Sequence, residues 1–231
     1  FFINRDAMPL QLDGTRDFDS IEALDLKLLS DTLTGLLNGE EVFMPNFDFE
    51  SGAKDYLTPP TSLAPGEIII LEGIHGLNPL ICESLPADEI YRIFASALTV
   101  LNLDDHNRIR TTDVRLLRRV VRDNQLRGYP PEASLEIWPR VRSAEEKYIF
   151  HYQENADSMF NTALQYELPI LKYYAYDLLM EVPASSPNYL LARRLIKALN
   201  YLPDVDASVM DEIPPLSLLR EFIGGCTMEE V

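Results

Sequence analysis

The residues best suited to chemistry fall in five places. The first is Glu72, which follows the apolar run Ile68-Ile69-Ile70-Leu71 and precedes Gly73. An apolar run without alternation predicts a strand covered on both faces, as in a parallel sheet. A carboxylate at its end would stand at the carboxyl edge, where open α/β sheets bind ligands. In nucleotide-binding enzymes such an acid organises a magnesium shell, largely through water. The second place is an island of arginine. Nine of the 20 basic residues lie between Arg108 and Arg142. Arg115, Arg118, Arg119 and Arg122 are spaced so that several share one helix face, and Arg127-Gly128 follows. Guanidinium groups bind phosphate bidentately and stabilise charge on a transferring phosphoryl group. Paired with Asp113 and Asp123, the same arginines would form only a solvated helix face.

The other three places are smaller. Asp13, Asp17 and Asp19 precede a helix, where one carboxylate can cap and another can face a ligand hydroxyl. Phe47-Asp48-Phe49 flanks an acid with rings that could stack on a base, or that could equally line a strand edge. His75, just beyond Glu72-Gly73, could touch a ligand or serve as a structural histidine. His75, His106 and His151 have no metal-ligand spacing, and neither HExxH nor GxSxG occurs.

These residues need elements to position them. Residues 1–18 are polar and turn-rich. Asp19 and Ser20 read as an N-cap with Glu22 behind them. Ile21, Leu24, Leu28, Leu33, Leu36 and Leu37 then follow at helical spacing to a stop at Asn38-Gly39. Residues 40–66 carry four prolines and read as loop or short hairpin, with 42–49 as a possible strand. Ile68–Leu71 and Tyr91–Ser96 read as strands. Residues 108–124 read as a helix, and residues 132–150 as a helix interrupted at Pro139. Residues 156–160 and 163–167 read as late strands, 168–181 and 187–200 as helices, and the tail from Pro203 as peripheral. Alternating strands and helices predict an α/β fold with a mostly parallel sheet.

The 231 residues carry 37 acidic and 20 basic side chains, a net charge of −17. That acidity counts against general nucleic-acid binding, which needs a basic surface. The Arg-rich helix also lacks the interleaved aromatics that single strands stack on. No apolar run is long enough to span a membrane. Cys82 and Cys226 are far apart and form no CxxC, so neither a disulfide framework nor a cysteine-rich zinc site organises the chain. A reduced, cytoplasmic setting is expected.

In order along the chain, these pieces resemble the uridine kinase-like nucleoside kinases of the phosphoribulokinase/uridine kinase group of P-loop kinases. Asp17-Phe18-Asp19 looks like the family's Asn-Phe-Asp segment. Pro45-Asn46-Phe47-Asp48-Phe49 looks like its Pro-x-Tyr-Asp-Phe segment. Ile69-Ile70-Leu71-Glu72-Gly73-Ile74 is similar to its Walker-B-type strand. Arg118-Arg119-Val120-Val121-Arg122-Asp123 with Arg127-Gly128 is similar to its lid. Stretches 103–108, 153–157 and 220–225 resemble a bacterial branch whose members often carry extra N-terminal domains.

The resemblance covers about residues 1–170 and implies a P-loop kinase-like α/β fold with an Arg-bearing lid; the kinase domain is expected over residues 1–202, with 203–231 as a C-terminal tail. It implies transfer of the γ-phosphoryl group of ATP, with Mg2+, to the 5′-hydroxyl of a nucleoside. By position Asp19 would hold the ribose hydroxyls, Phe47 and Phe49 would line the base pocket with His75 nearby, and Glu72 would support magnesium. Arg119, Arg122 and Arg127 would reach phosphates as the lid closes, Arg122 and Arg127 also holding ATP. No Gly in the chain is followed by Lys, so GxxxxGK[ST] is absent. Gly52 stands where uridine-type members place a base-reading His, and Tyr129 where they often have Arg. The expectation is the C-terminal portion of a longer kinase that needs its own missing N-terminal strand and P-loop as a partner, is inactive alone, and could form homo-oligomers. The alternative is a non-catalytic module holding a phosphorylated ligand through the arginines.

Overall fold

In the computed structural model, residues 1–11, 14–99, 102 and 104–228 are described. Asp13, and Leu103 of the stretch 103–108, lie outside them. The first long helix, α1, spans Leu26–Leu37 and buries Leu29, Leu33 and Leu36 on one face. It begins later than the N-cap at Asp19 and Ser20 predicted. Ser20 instead caps a single 3-10 turn, Ile21–Ala23, by accepting from the Glu22 amide. Asp25 caps α1 by accepting from Leu28 N at 3.0 Å. Asp19 and Ser20 precede only the 3-10 turn, and Asp25 is the residue adjoining the unbroken helix.

β1 (Pro45–Asp48) and β2 (Ala53–Tyr56) form an antiparallel hairpin, with Phe47 opposite Lys54. β3 (Ile93–Ser96) and β4 (Ser158–Asn161) make the other two-stranded sheet. Its bonds run from Ser158 N to Arg92 O and from Thr162 N to Ser96 O. Both partners advance in the same sense, so the pair is parallel. The α/β class holds. The larger parallel sheet does not form among the described residues.

Ile68–Leu71 is the clearest departure. The segment belongs to no strand, and Ile68 and Ile70 are 81% and 83% exposed. Only Ile69 turns inward, against Leu29, Leu33 and Ile81. An apolar run becomes a buried strand only where neighbours on both sides accept its backbone hydrogen bonds. No described strand does so here.

The second half is helical. α2 spans Thr111–Arg127 and α3 Pro131–Ala144; α4 spans Glu167–Met180 and α5 Tyr189–Leu199. α2 ends at Gly128, whose φ of +67° a Cβ would strain. Pro139 lies within α3 without ending it. A π-helical turn, Glu145–Ile149, follows directly. The strand expected over 163–167 is instead a turn leading into α4. Short α6 (Ser208–Glu212) and α7 (Arg220–Ile223) close the chain. The tail is not peripheral: Ile213, Leu219, Phe222 and Ile223 are buried in the same cluster as α2, α4 and α5.

The chain divides into two compact units. One comprises Phe1–Phe94 with Ser143–Met159, the other Ala95–Arg142 with Phe160–Val231. The first holds a small core around Leu29, Leu33 and Ile81. The second holds a large one in which Leu116, Leu135, Leu168, Leu171 and Leu195 are almost wholly buried. Among the described residues no helix is long and apolar enough to cross a membrane.

Candidate functional site

In the first unit the acid-rich turn, the hairpin and the segment after Glu72 each carry candidate residues. The Asp19 amide donates to the Asp17 carboxylate at 3.2 Å. Ser20 N donates to Asp17 O at 3.4 Å and Ala23 N to Ser20 O at 3.0 Å. This local bonding fixes the backbone from which the Asp19 side chain, half-buried, projects.

The structure brings Asp19 and His75 together. The His75 ring lies 3.0 Å, through Nε2, from the Asp19 carbonyl oxygen. A carbonyl only accepts, so Nε2 carries the proton and donates. His75 is 6% exposed, and its Nδ1 is buried without a hydrogen-bond partner. Its ring meets Tyr148 edge to face at 5.0 Å. Burial lowers the imidazole pKa below its ordinary value, while the bond to Asp19 and the charges of Asp19 and Asp17 pull it back. The ring is therefore neutral at pH 7. Two tight turns hold it there, with Gly76 N bonded to Gly73 O at 3.0 Å and Asn78 N to His75 O at 2.8 Å.

Tyr148 and Lys147 come from the π-helical turn. Lys147 Nζ lies 2.6 Å from the Tyr148 hydroxyl. That bond raises the Lys147 pKa, with smaller contributions from the charges of Asp17 and Glu22. Single π turns recur at functional sites. Nothing in the local sequence marks Tyr148 as a neighbour of His75, 73 residues earlier; only the tertiary fold joins them.

Phe47 and Phe49 lie 5.1 Å apart and both meet Phe2, at 5.3 and 5.5 Å. Phe18 meets Phe2 edge on at 6.3 Å. Phe49 keeps 62% of its surface exposed, so a face remains for a planar ligand. Arg5 donates to the carbonyls of Phe49 and Glu50 and lies where a Cβ on Gly52 would fall, within 2.6 Å. Nothing in the local sequence marks Arg5 as a partner of the hairpin. A side chain at position 52 would strain the backbone, at φ +74°, and displace Arg5. Glu72 is exposed at the end of the irregular Ile68–Leu71 segment rather than on a sheet edge. Among the described residues no three His, Cys, Asp or Glu side chains gather to hold a metal.

The arginines lie in the second unit, on α2. Arg119 Nε is 3.2 Å from Asp123, and Arg127 is 2.9 Å from the other oxygen of the same carboxylate. Ser134 of α3 donates to Asp123 at 2.9 Å. Asp123 is thus a buried hub for two of the three predicted phosphate ligands, a part the spacing suggested only as a neutralising neighbour. Arg122 pairs with Glu221 of α7 at 3.2 Å, its guanidinium 5.9 Å over the Phe222 ring. Arg118 points inward to a buried pair with Glu167. Arg118 and Arg122 share the Phe222 ring one turn apart; Arg119 and Arg122 are half-buried and Arg127 is exposed.

The stretches of the bacterial branch are structural. Asn155 donates to Leu77 O at 3.2 Å, and Asp157 accepts from Arg92 N at 2.7 Å. Asp104 accepts from the amides of His106 and Asn107 at 2.8 and 2.7 Å. Arg220 ties Met210 O and Ile213 O at 2.9 and 2.6 Å.

Comparison with known proteins agrees with the ordered motifs. Residues 10–91 match the Phosphoribulokinase / Uridine kinase family. The chain is 26% identical over 136 residues to the uridine kinase of Deinococcus deserti, covering 59% of this chain and 57% of that one. It is 29% identical over 160 residues to uridine kinase-like protein 3 of Arabidopsis thaliana, covering 68% of this chain and 30% of that one. With the uridine kinase of Lactobacillus johnsonii the identity is 30% over 133 residues, 58% and 54% of the two chains. The chain thus spans about half the length of the first and third relatives and less of the second. Its sequence is uridine kinase-like, as the motif order indicated.

Proposed function

We propose that this uridine kinase-like chain carries the acceptor side and the arginine lid of an ATP-dependent kinase that phosphorylates the 5′-hydroxyl of a uridine- or cytidine-like nucleoside. The observation that carries the reading is the convergence, in one unit, of a bonded Asp17–Ala23 turn with an aromatic cluster that leaves Phe49 open. A nucleoside needs both a hydroxyl-binding carboxylate and a face for its base.

In this reading Asp19 binds the ribose hydroxyls, and Phe47 and Phe49 flank the base. Residues 1–202 make up the kinase portion, and residues 203–231 pack onto it. Arg119, Arg122 and Arg127 exchange the carboxylates of Asp123 and Glu221 for phosphate oxygens. Phosphoryl transfer depends on positioning and charge neutralisation, which guanidinium groups supply. Glu72 would support the magnesium of MgATP, which would supply the phosphoryl group and neutralise its charge. Glu72 stands alone, which fits a magnesium ion that keeps its waters and takes few carboxylates. The backbone cradle of a GxxxxGK[ST] loop is not encoded in these 231 residues. The 231-residue chain is therefore expected to give no turnover by itself, and the whole protein to act in the cytoplasm.

The test is phosphoryl transfer from radiolabelled ATP to a panel of nucleosides by the whole protein and its Asp19→Asn variant. Transfer to a pyrimidine nucleoside, with acceptor KM raised at least about tenfold in the variant, is expected. Binding of phosphorylated ligands without transfer to any nucleoside would instead favour a non-catalytic module built on the arginines.

A further inference from the structure

We infer that His75 is a positioning residue of the acceptor site, holding the Asp19 backbone through Nε2–H and touching no ligand itself. The inference rests on the acceptor role proposed for Asp19, and goes beyond it by assigning what keeps that carboxylate in place.

The turn that carries Asp19 satisfies most of its polar groups internally. Ser20 N and Asp19 N reach back to Asp17, Glu22 N donates to Ser20 Oγ at 3.2 Å, and Ala23 N to Ser20 O at 3.0 Å. The Asp19 carbonyl takes its hydrogen bond from outside, from His75, 56 residues away. This bond ties the acceptor turn to the segment immediately after Glu72.

The ring is itself over-determined. The Gly73–Asn78 turns fix its backbone. Tyr148 packs against its face at 5.0 Å. Its burial excludes a ligand from the imidazole, which removes direct substrate contact as its role. Among the described residues its remaining polar contact is Nε2–H to the Asp19 carbonyl. The Asp19 carbonyl fixes the tautomer, and the unpartnered Nδ1 keeps the ring neutral, because a second proton there would be buried with nothing to receive it. A neutral donor of fixed direction is what the turn requires.

Side-chain reach separates this role from simple core packing. Glutamine places an amide nitrogen close to the position of histidine Nε2. Asparagine reaches only as far as Nδ1. His75→Gln should therefore preserve the bond, while His75→Asn and His75→Leu lose it.

Two measurements on the whole protein decide the matter. Amide hydrogen exchange follows the Asp17–Ala23 turn against α1 as an internal reference. Steady-state kinetics follow the acceptor nucleoside. His75→Leu and His75→Asn should speed exchange in the turn about tenfold, with α1 unchanged. They should raise acceptor KM by about tenfold with kcat within about twofold, one hydrogen bond's worth of placement. His75→Gln should restore both. Unchanged exchange in the turn overturns the inference. So does faster exchange with acceptor KM unaffected, since His75 would then be a packing residue. Wild-type protein that phosphorylates no nucleoside overturns the kinase reading instead, and the exchange data alone still accept or reject the His75–Asp19 tie.

Discussion

Arg122 is the residue whose surroundings say most about its work. Its guanidinium is held by Glu221 at 3.2 Å and lies over the Phe222 ring. Both partners come from α7, so in the proposed lid this arginine is oriented before any ligand binds. Preorganised donors contribute most where charge develops in the transition state. Arg122→Gln should lower kcat of the whole protein about 100-fold with a smaller change in KM for ATP. Glu221→Gln removes the competing anion from a pair whose glutamate is exposed and whose arginine is half-buried. It should lower KM for ATP and move stability by no more than about 0.5 kcal/mol. Steady-state kinetics with thermal melts check both. His75 carries a second residue-scale expectation. Burial depresses its folded pKa, so the unfolded chain binds the proton more readily. Its contribution is fully present above the ordinary histidine value of about 6.5 and is lost as pH falls through that value toward the lower folded one. The charges of Asp19 and Asp17 act on the ring, and Tyr148, which bonds Lys147, packs against it. Urea unfolding between pH 7.5 and 5 should show a downward slope that His75→Leu makes shallower.

At the scale of elements, periodicity was readable and partnership was not. Leu28, Leu33 and Leu36 marked α1, the apolar face of α2 was plain, and the Tyr91–Ser96 run contains β3. Ile68–Leu71 failed as a strand because strandness depends on neighbours that a local pattern does not contain. The tail failed as periphery for the converse reason. Its prolines and acids read as solvent-facing, yet Leu219 and Phe222 are anchored in a core built almost entirely from residues far upstream. The candidate site residues Asp19, Arg119, Arg122 and Arg127 were picked out by motif order. Glu221 beside Arg122, Ser134 on Asp123, Tyr148 against His75 and Arg5 on the Phe49 carbonyl could not be, since tertiary folding brings each to its place. Two measurements follow from these elements. Pro139 is exposed within α3, where it lacks the amide hydrogen of a helix bond. Pro139→Ala should stabilise the chain by roughly 1–3 kcal/mol in urea titration. Arg118 and Glu167 form a buried pair joining α2 to the start of α4. Arg118→Ala leaves a carboxylate buried alone and should cost about 3–5 kcal/mol by the same method.

The two units differ in how much core each owns, and that difference sets the order in which they lose structure. In the Phe1–Phe94 and Ser143–Met159 unit, the clustered buried side chains are Leu29, Leu33 and Ile81, edged by half-buried residues such as Ile21, Ile69 and Leu85. The other unit clusters more than a dozen buried apolar side chains, several with no exposed surface. Apolar burial contributes about 25 cal/mol per Å2, so the first unit has far less to set against its conformational entropy. Its exposed Ile68 and Ile70 add nothing. The unit that carries Asp19, His75 and the aromatic cluster is therefore the less stable one. Acceptor-site residues drawn from the low-stability end of a chain can be tightened by whatever binds them. Heating the 231-residue chain under hydrogen exchange should show the amides of residues 1–94 and 143–159 exchanging first. Those of α2, α4 and α5 should hold longer. Leu219→Ala, at a position with no exposed surface, should lower only the second transition, by about 2–5 kcal/mol. A single transition in which both sets of amides exchange together would mean that the smaller core borrows its stability from the larger. Leu219→Ala would then weaken His75 and Arg122 alike.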